Sequence, residues 1–384
     1  MKSCMTVFLF LCFLVGAYAK QTICLNMIVK DESRVIQHCL DSVKSIIDYW
    51  VIVDTGSSDG TQEIIQNYLK DIPGELYQRP WKNFGENRSE AFDLAKEKGD
   101  YILFMDADDT LQFEGKIELP ILTKDLYQMW RGVEGFTYIK PQIVKGNLPW
   151  KWVGVTHEYL DCPVFYTMDT LANVKYISGE GGARSLDPNK FLKNVALLEE
   201  GLIHEPNNER YVFYLAESYR DAGEKGKALE RYQKRINMGG WEEEVFWSML
   251  QIANLLRDIG VSSNIVIKAY DNAHKYRPHR PEPLYFLAEL YNRNREYEKA
   301  YNCIKLREHL SDFKQKDILF NMDWMDAYGF TLQLSISAYF IEHYQESLDA
   351  CDKLLKMEQI PQEWLELAKY NRSFALYKLA NLDD

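Results

Sequence analysis

Three aspartates directly follow a short apolar segment. Residues Tyr101 to Met105 are apolar in succession, and Asp106, Asp108 and Asp109 come next. An apolar run of this length, preceded by Gly-Asp, predicts a strand buried on both faces of a mostly parallel sheet. Carboxylates in Asp-x-Asp spacing at the end of such a strand can hold a divalent cation and, through it, a diphosphate. The alternative is a turn in which these aspartates only cap the residues that follow.

Two earlier segments repeat the order of strand, polar turn and helix. Tyr49 to Val53 lead into Asp54 and a Gly/Ser-rich turn, and the apolar segment at 23–29 leads into Lys30-Asp31-Glu32. Right-handed crossovers leave the carboxyl ends of parallel strands on one edge of the sheet. The sequence therefore predicts that the acids after these strands lie along one edge.

These segments together resemble a known enzyme family. They are V-D-T-G-S-S-D-G-T at 53–61, Asn87-Arg88 at the start of a helix, and G-D-Y-I-L-F-M-D-A-D-D at 99–109. They resemble the inverting family 2 glycosyltransferases of GT-A fold, closely over residues 22–115 and less closely to about residue 190. The resemblance implies a Rossmann-like, mostly parallel α/β domain. It also implies a nucleotide-sugar donor, UDP-linked, a hydroxyl acceptor on a protein or glycan, and Mn²⁺ or Mg²⁺ as cofactor.

The resemblance also implies roles for individual residues at this edge. Asp54 would bind the nucleobase, Arg88 would support the base or a phosphate, Asp106 would reach the ribose or the metal, and Asp108 would ligate the metal. Asp54 can instead only shape its turn, and Arg88 can be a solvated charge on its helix.

A His-Glu pair about forty residues further on matches one found in similar glycosyltransferases. His157 would be the third metal ligand beside Asp106 and Asp108, because Mn²⁺ accepts mixed oxygen and imidazole ligands. Inversion requires a carboxylate that deprotonates the acceptor hydroxyl, and Glu158 is the first candidate, ahead of Asp109 and Glu180. The alternative is a half-buried strand in which the histidine is structural.

Two neighbouring features allow more than one interpretation. Trp150 and Trp152 either stack on an acceptor sugar or fill a core. The glycine-rich residues 177–185 can bring backbone amides to a diphosphate, with Arg184 pairing to it, or form a lid over the donor. A plain interdomain loop is the third interpretation.

Beyond residue 190 the pattern predicts a second, all-α domain. Ala216, Ala253, Ala288 and Ser335 occupy equivalent places in a recurring pattern of small and aromatic residues, at steps of 37, 35 and 47 residues. Such steps are near the period of about 34 residues of tetratricopeptide repeats. Residues 191–384 are therefore predicted to form a tetratricopeptide-like superhelix that binds a peptide or protein acceptor on its concave face, or one that only supports the first domain.

The first nineteen residues have the pattern of a secretory signal peptide. Lys2 precedes an apolar run that ends at Ala17-Tyr18-Ala19, an A-x-A cleavage site. The run is too short for a stable membrane span, although a signal anchor is the alternative. The predicted organisation is a signal peptide at 1–19, a glycosyltransferase domain at 20–190 and repeats at 191–384, in the endoplasmic reticulum or Golgi lumen or secreted.

Charge and cysteine content limit the remaining possibilities. A net charge of −12 argues against nucleic acid as a partner. Outside residues 1–19 there are five scattered cysteines, of which Cys24 and Cys39 could pair. Asn87 and Asn371 begin N-glycosylation sequons. The alternative function is a catalytically inactive tetratricopeptide-type binding scaffold; a nucleotidyltransferase would need a Gly-rich, basic loop after the first strand, which the sequence lacks.

Overall fold

A computed structural model describes residues 20–133, 136–310, 317–358 and 360–381. The predicted signal peptide, residues 1–19, lies outside the described residues. Within them, an α/β domain with a mostly parallel sheet is followed by an all-helical domain, and this predicted order is confirmed. The boundary predicted after residue 190 falls at the start of the first helix of the second domain, Lys190–His204.

The α/β domain contains most of the strands. The strands are β1 (Ile23–Val29), β2 (Tyr49–Asp54), β3 (Gly74–Gln78), β4 (Tyr101–Phe104), β5 (Thr110–Phe113), β6 (Leu126–Val133), β7 (Phe136–Lys145), β8 (Lys151–Val153), β9 (Tyr159–Asp161), β10 (Met168–Thr170) and β11 (Val174–Ile177). Its helices are α1 (Ile36–Val43), α2 (Thr61–Tyr68) and α3 (Phe84–Ala95).

One half of the main sheet is parallel and has the strand order β3-β2-β1-β4. The last residue of β1, Val29, is in register with Asp54, and Asn26 is in register with Phe104. Strands β1, β2 and β4 are almost wholly buried because helices cover both faces of this half. Their carboxyl ends therefore meet at one edge, which we call the carboxyl edge.

The other half of the sheet begins where β7 pairs antiparallel with β4. Strands β6 and β7 form an antiparallel hairpin, β11 and β10 run parallel to β6, and β5 pairs antiparallel with β11. Strands β8 and β9 form a separate two-stranded ribbon. Because β11 and β5 lie beyond the hairpin, the segment after Ile177 starts close to the aspartates that follow β4.

The sheet separates two apolar cores. Helices α1 and α2 pack on one face, in a cluster that includes Cys39, and α3 packs on the other face, in a cluster that includes Cys24. The two cysteines are thus on opposite faces of the sheet. Both are free thiols, so they do not form the disulfide bond that the sequence allowed.

The second domain is built from consecutive helices joined by short loops. They are α4 (Lys190–His204), α5 (Glu209–Asp221), α6 (Lys225–Met238), α7 (Glu242–Ile259), α8 (Ser263–Tyr276), α9 (Glu282–Arg293), α10 (Tyr297–Leu310), α11 (Phe330–Phe340), α12 (Tyr344–Leu355) and α13 (Gln362–Ala380), with a π-helical segment, Met325–Gly329, before α11.

The repeat equivalences predicted from small residues are correct. Ala216, Ala253, Ala288 and Ser335 lie on α5, α7, α9 and α11, the first helix of each successive helix pair, and all four are fully buried. A small side chain at this place lets two helices approach closely. The longest step precedes Ser335 because additional chain, including the π-helical segment, separates α10 from α11.

The first residues of β7 connect the α/β domain to the repeat domain. The backbones of Thr137 and Asn321 exchange hydrogen bonds of 3.0 and 2.8 Å, and Ile139 N donates to Ile318 O at 3.1 Å. The ring of Phe136 stacks on that of Phe320 with centroids 5.5 Å apart. Among the described helices, none is both long and apolar enough to cross a bilayer.

Candidate functional site

Asp54 is buried at the end of β2, and one of its carboxylate oxygens accepts several hydrogen bonds. Oδ1 accepts hydrogen bonds from the backbone amides of Gly56 and Ser57, both at 2.9 Å, and from Gln62 at 3.1 Å. The other oxygen, Oδ2, is buried and has no hydrogen-bond partner among the described residues. The turn therefore orients the aspartate, and its second oxygen is left without a hydrogen-bond donor.

Asp106 is held between two arginines. Arg88 donates to Oδ1, and Arg131 Nη1 donates to Oδ2 at 3.0 Å. Burial opposes ionisation, but these two guanidinium groups outweigh it, so the pKa of Asp106 lies well below its ordinary value. Arg131 also pairs with Asp109, which accepts a hydrogen bond from Gly179 N at 2.8 Å. Both oxygens of Asp106 are therefore engaged by protein.

Arg88 connects Asp106 to Glu158. Its Nε lies 2.7 Å from Glu158 Oε1, an ion pair without hydrogen-bond geometry, and its guanidinium lies 5.5 Å from the ring centroid of Trp152. Burial alone would raise the pKa of Glu158, but Arg88 and Lys140 outweigh it and leave the pKa below its ordinary value. Glu158 is thus a buried carboxylate that remains ionised at neutral pH.

Asp108 lies under the glycine-rich segment. A Cβ on Gly182 would be 2.7 Å from Asp108 Oδ2, and one on Gly179 would be 1.9 Å from the Asp108 carbonyl oxygen. A side chain at Gly179 would collide with the backbone of Asp108, and one at Gly182 would require the Asp108 carboxylate to move. Burial, and then the charge of Asp106, raise the pKa of Asp108. The segment also reaches Glu32, whose Oε2 accepts from Ala183 N at 3.1 Å.

Glu32 is a carboxylate at this edge that the sequence did not single out. Its pKa is raised to about 7 by burial, and the charges of Asp108, Asp59 and Asp106 raise it further. Neither Glu32 nor Asp108 makes an ion pair with another described residue. The two neighbouring carboxylates therefore have no ion-pair partner among the described residues beneath the glycine-rich segment.

His157 lies apart from these aspartates. Its ring stacks on Tyr214 of α5, and its backbone has a φ of 52°, in the left-handed region. Desolvation by the protein around its ring lowers the pKa of His157, although the residue itself is partly exposed. In the described part of the chain, no three or more His, Cys, Asp or Glu side chains are grouped to hold a metal ion. The predicted ligands Asp106, Asp108 and His157 are accordingly not brought together as such a group.

Arg184 connects the glycine-rich segment to neighbouring helices. Its guanidinium bonds to Asn194 of α4 and lies 4.4 Å from the ring centroid of Phe84 at the start of α3. The predicted role of Arg184 at a diphosphate thus has no support from its contacts. Both oxygens of the second-choice base Asp109 are engaged, one by Arg131 and one by Gly179 N, whereas Arg88 contacts only one oxygen of Glu158. Glu180 is exposed on the segment.

A cavity of about 800 Å³ lies between the two domains. Its α/β wall includes Tyr138, Lys140 and Glu158, and its helical wall includes Tyr214 and Gln251. A larger open cleft of about 1070 Å³, beside Asp100 and Lys145, lies at the amino end of β4 and contains none of the predicted site residues. The interdomain cavity is therefore the one that adjoins the carboxyl edge through Glu158.

Arg131 and Lys140 were not predicted from the sequence, and Glu32 was predicted at the edge without a role. Arg131 and Lys140 lie on the β6–β7 hairpin, where no motif marks them. Glu32 follows β1 at the predicted edge, and its place after a strand was the available signal.

Two ambiguous features of the sequence have a clear structural answer. Trp150 and Trp152 are both buried in the core on the α3 face of the sheet, so the interpretation as core residues is correct. Asn87, which begins a sequon, is also fully buried, and its side chain bonds to Lys82 N and Pro80 O. A glycan at Asn87 is incompatible with this fold.

Comparison with known proteins agrees with the resemblance seen in the sequence. Residues 24–120 match the family described as glycosyl transferase family 2. The glycosyltransferase SunS of Bacillus phage SPbeta and the prophage-derived SunS of Bacillus subtilis (strain 168) are each 27% identical over 243 residues, 58% of this chain and 56% of the relative. The predicted resemblance is confirmed for the α/β domain, and this chain spans about half the length of the SunS relatives.

Two further similarities concern repeat proteins. A TPR repeat-containing protein of Synechococcus elongatus is 37% identical over 108 residues, 28% of this chain and 25% of that protein. A tetratricopeptide repeat protein from Parabacteroides merdae aligns at a TM-score of 0.38 and 16% identity, covering 51% of this chain and 69% of that one. The helix pairs described above are the evidence for the repeat architecture.

Proposed function

We propose that this chain is an inverting glycosyltransferase that moves a sugar from a nucleotide-sugar donor, UDP-linked, to a hydroxyl group of a protein or glycan. The observation that carries the proposal is the series of contacts from Asp106 through Arg88 to Glu158. It links the carboxyl edge, where such a sheet binds its ligand, to a carboxylate in the interdomain cavity. This separation suits an inverting transfer, in which the base acts on the face opposite the leaving group.

The donor's base would be recognised by Asp54. Its buried Oδ2 lacks a donor, and a buried acceptor without a partner is costly unless a ligand satisfies it. The N3–H group of uracil supplies such a donor. Arg88 is already committed to Asp106 and Glu158, so its proposed role is to hold these carboxylates rather than to bind the base.

A divalent cation, Mn²⁺ or Mg²⁺, would supply positive charge to the leaving diphosphate. Asp108 and Glu32 fit such an ion, because they are neighbouring carboxylates without ion pairs and the pKa of each is raised. Asp106 is already held by two arginines and the ring of His157 is stacked on Tyr214, so we propose Asp108 and Glu32 as the first ligands in preference to these two. The glycine-rich segment over Asp108 would exclude water from the donor.

The acceptor would enter the interdomain cavity. Glu158 lines it from the α/β domain, and Gln251 and Asn254 of α7 line it from the repeats. Glu158 would take the proton of the attacking hydroxyl there. We expect Gln251→Ala with Asn254→Ala to weaken transfer to the native acceptor and to leave donor hydrolysis unchanged; equal transfer by this variant and wild type would contradict the acceptor assignment.

The direct test is calorimetric titration of the full chain with UDP, with and without Mn²⁺, together with a hydrolysis assay on UDP-sugars. The proposal expects metal-dependent UDP binding and slow release of sugar. A catalytically inactive scaffold is the alternative, and it predicts no hydrolysis of any UDP-sugar. Asp93→Asn, on the exposed face of α3, is the matched control for changes at the carboxyl edge.

Export of the chain is a separate proposal that depends on residues 1–19. We propose that they direct the chain into the secretory pathway. Mass determination of the protein from its native cells tests this: loss of the first nineteen residues supports export, and an intact amino terminus contradicts cleavage.

A further inference from the structure

One charged side chain of the interdomain cavity has no charged or hydrogen-bonding partner. Lys140 makes neither a hydrogen bond nor an ion pair with any described residue. The other charged residues on the cavity wall are paired as follows: Glu158 with Arg88, Glu217 and Asp221 with Arg220, and Arg210 with Glu244. Lys140 is therefore the exception among the described charges of this cavity.

Lys140 is placed next to the candidate base. It lies on β7, directly opposite Met129 of β6, and its Nζ is 5.6 Å from the ring centroid of Trp152. Trp152 also carries the guanidinium of Arg88 near its ring, so both cations lie near the same indole. The charges of Asp106 and Glu158 both act on the ammonium. Lys140 thus lines the same cavity as Glu158 and is near enough to Asp106 to be affected by its charge.

The groups around Lys140 do not fully stabilise the positive charge of its ammonium group. Burial lowers the pKa of Lys140, and the neighbouring charges of Arg131 and Arg88 lower it further, against the opposing effect of Asp106 and Glu158. The carboxylates that could pair with it are already paired with arginines. An ammonium group can donate three hydrogen bonds. Those of Lys140 have no acceptor among the described residues and are available to a ligand that enters the cavity.

We propose that Lys140 binds the sugar of the nucleotide-sugar donor by donating hydrogen bonds to its oxygens. The inference rests on the proposed function, because a sugar transferred from the carboxyl edge to an acceptor beside Glu158 must lie between them. The proposed ligand of Lys140 is the glycosyl group of the donor and not its nucleotide. Lys140 would therefore contribute to the choice of sugar, a role that Asp54 and Asp108 do not have.

The test compares wild type with Lys140→Met, which keeps the length of the side chain and removes its charge and donors. Binding of UDP and of UDP-glucose, UDP-galactose, UDP-N-acetylglucosamine and UDP-glucuronate to the full chain is measured by calorimetry with Mn²⁺. We expect the affinities of wild type and Lys140→Met for UDP to agree within about twofold. The affinity for the UDP-sugar that wild type binds best should fall about ten- to a hundredfold in the variant, the effect of losing one charge-assisted hydrogen bond.

Lys145→Met is the matched control, because Lys145 lies on the same strand but is ion-paired with Asp125 at 2.9 Å, away from the cavity. Thermal melting of each variant shows whether it is folded. If Lys140→Met weakens UDP as much as the UDP-sugar, or weakens neither, the inference is wrong and the proposed function stands. If wild type binds neither UDP nor any UDP-sugar, the proposed function fails and the inference fails with it.

Discussion

The imidazole ring of His157 lies flat against the phenol ring of Tyr214, with centroids 4.1 Å apart and planes within 4° of each other. Tyr214 belongs to the first repeat, and His157 precedes the candidate base Glu158. Two further contacts hold the same loop to α5: Arg210 Nε donates to His157 O at 2.9 Å, and Val155 N donates to the Tyr211 hydroxyl at 3.3 Å. The repeat domain therefore positions the loop that carries Glu158, in addition to forming the cavity wall.

Tyr214→Leu removes the flat ring and keeps an apolar side chain. We expect turnover to fall at least about tenfold, because small displacements of a catalytic group reduce rates strongly, with UDP affinity unchanged. Tyr214→Phe should behave as wild type, since the stacked ring does not need the hydroxyl. The measurement is kcat and KM for donor hydrolysis; equal kcat for the leucine variant would show that the stack does not position the base.

Glu158→Gln removes the proton acceptor and preserves the shape of the side chain. We expect turnover to fall by about 10²- to 10⁴-fold and UDP binding to persist. Because Arg88 and Lys140 hold the pKa of Glu158 below its ordinary value, the acid limb of the wild-type rate profile should lie below the ordinary glutamate range. A Glu158→Gln enzyme with most of its activity would remove Glu158 from the mechanism.

Asp108→Asn tests the cation site under the glycine-rich segment. It removes one of two unpaired neighbouring carboxylates, and the asparagine side chain keeps its shape. We expect UDP binding to lose its dependence on Mn²⁺ and donor hydrolysis to become undetectable, while the melting temperature is unchanged or higher, since Asp108 is costly to ionise. Asp93→Asn is the control, and normal turnover by Asp108→Asn would refute the metal role.

Asp54→Asn tests base recognition through the unpartnered Oδ2. The aspartate accepts a hydrogen bond, which suits the N3–H of uracil, whereas the amide of asparagine can donate one, which suits N3 of cytosine. We expect UDP affinity to fall about tenfold and the ratio of CDP to UDP affinity to rise, as measured by calorimetry. An unchanged ratio would place the nucleobase elsewhere.

Asp317 should make stability depend on pH in the acid range. It is buried, and although burial opposes its charge, hydrogen bonds from Arg277, His279 and Arg280 lower its pKa from 3.8 to about 2. A carboxyl whose pKa is lower in the folded state stabilises above its unfolded pKa, and this stabilisation is lost as the pH falls from 3.8 to about 2.

Asp317→Asn should therefore reduce the free energy of unfolding at pH 7 by on the order of 2 kcal/mol or more. The difference between wild type and variant should stay constant down to about pH 5 and become smaller below about pH 4. Urea unfolding of both proteins across this range is the measurement. Asp271→Asn removes an exposed pair with Lys275 and is the control, with a change within about 1 kcal/mol. A difference that grows on acidification would contradict the assignment.

The sequence predicted the elements and the edge of the site because local rules determine both. Asp54 and Asp106 follow buried parallel strands, and parallel strands place their carboxyl ends together. Ala216 and Ala288 revealed the repeats because close helix packing demands small residues at a fixed place. These features depend on residues near each other in sequence or on a constraint common to all such sheets.

The parts that were missed depend on long-range pairing. Arg131 and Lys140 reach the site only because the β6–β7 hairpin pairs antiparallel with β4, and no short motif specifies that pairing. His157 and Glu158 are neighbours in sequence, yet the left-handed backbone at His157 turns one side chain to α5 and leaves the other beside Arg88. A residue pattern alone does not contain that change of direction.

The contact between the start of β7 and the repeat domain has a consequence for the order in which the chain assembles. Thr137 Oγ1 bonds to Asp323 across 186 residues of sequence, next to the backbone pairing with Asn321. During translation the strands that end in Asp54 and Asp106 emerge long before this wall of the cavity. Because domains fold as units while synthesis proceeds, we expect a nascent chain to form the carboxyl edge first and to complete the interdomain cavity only after most of the repeats have emerged.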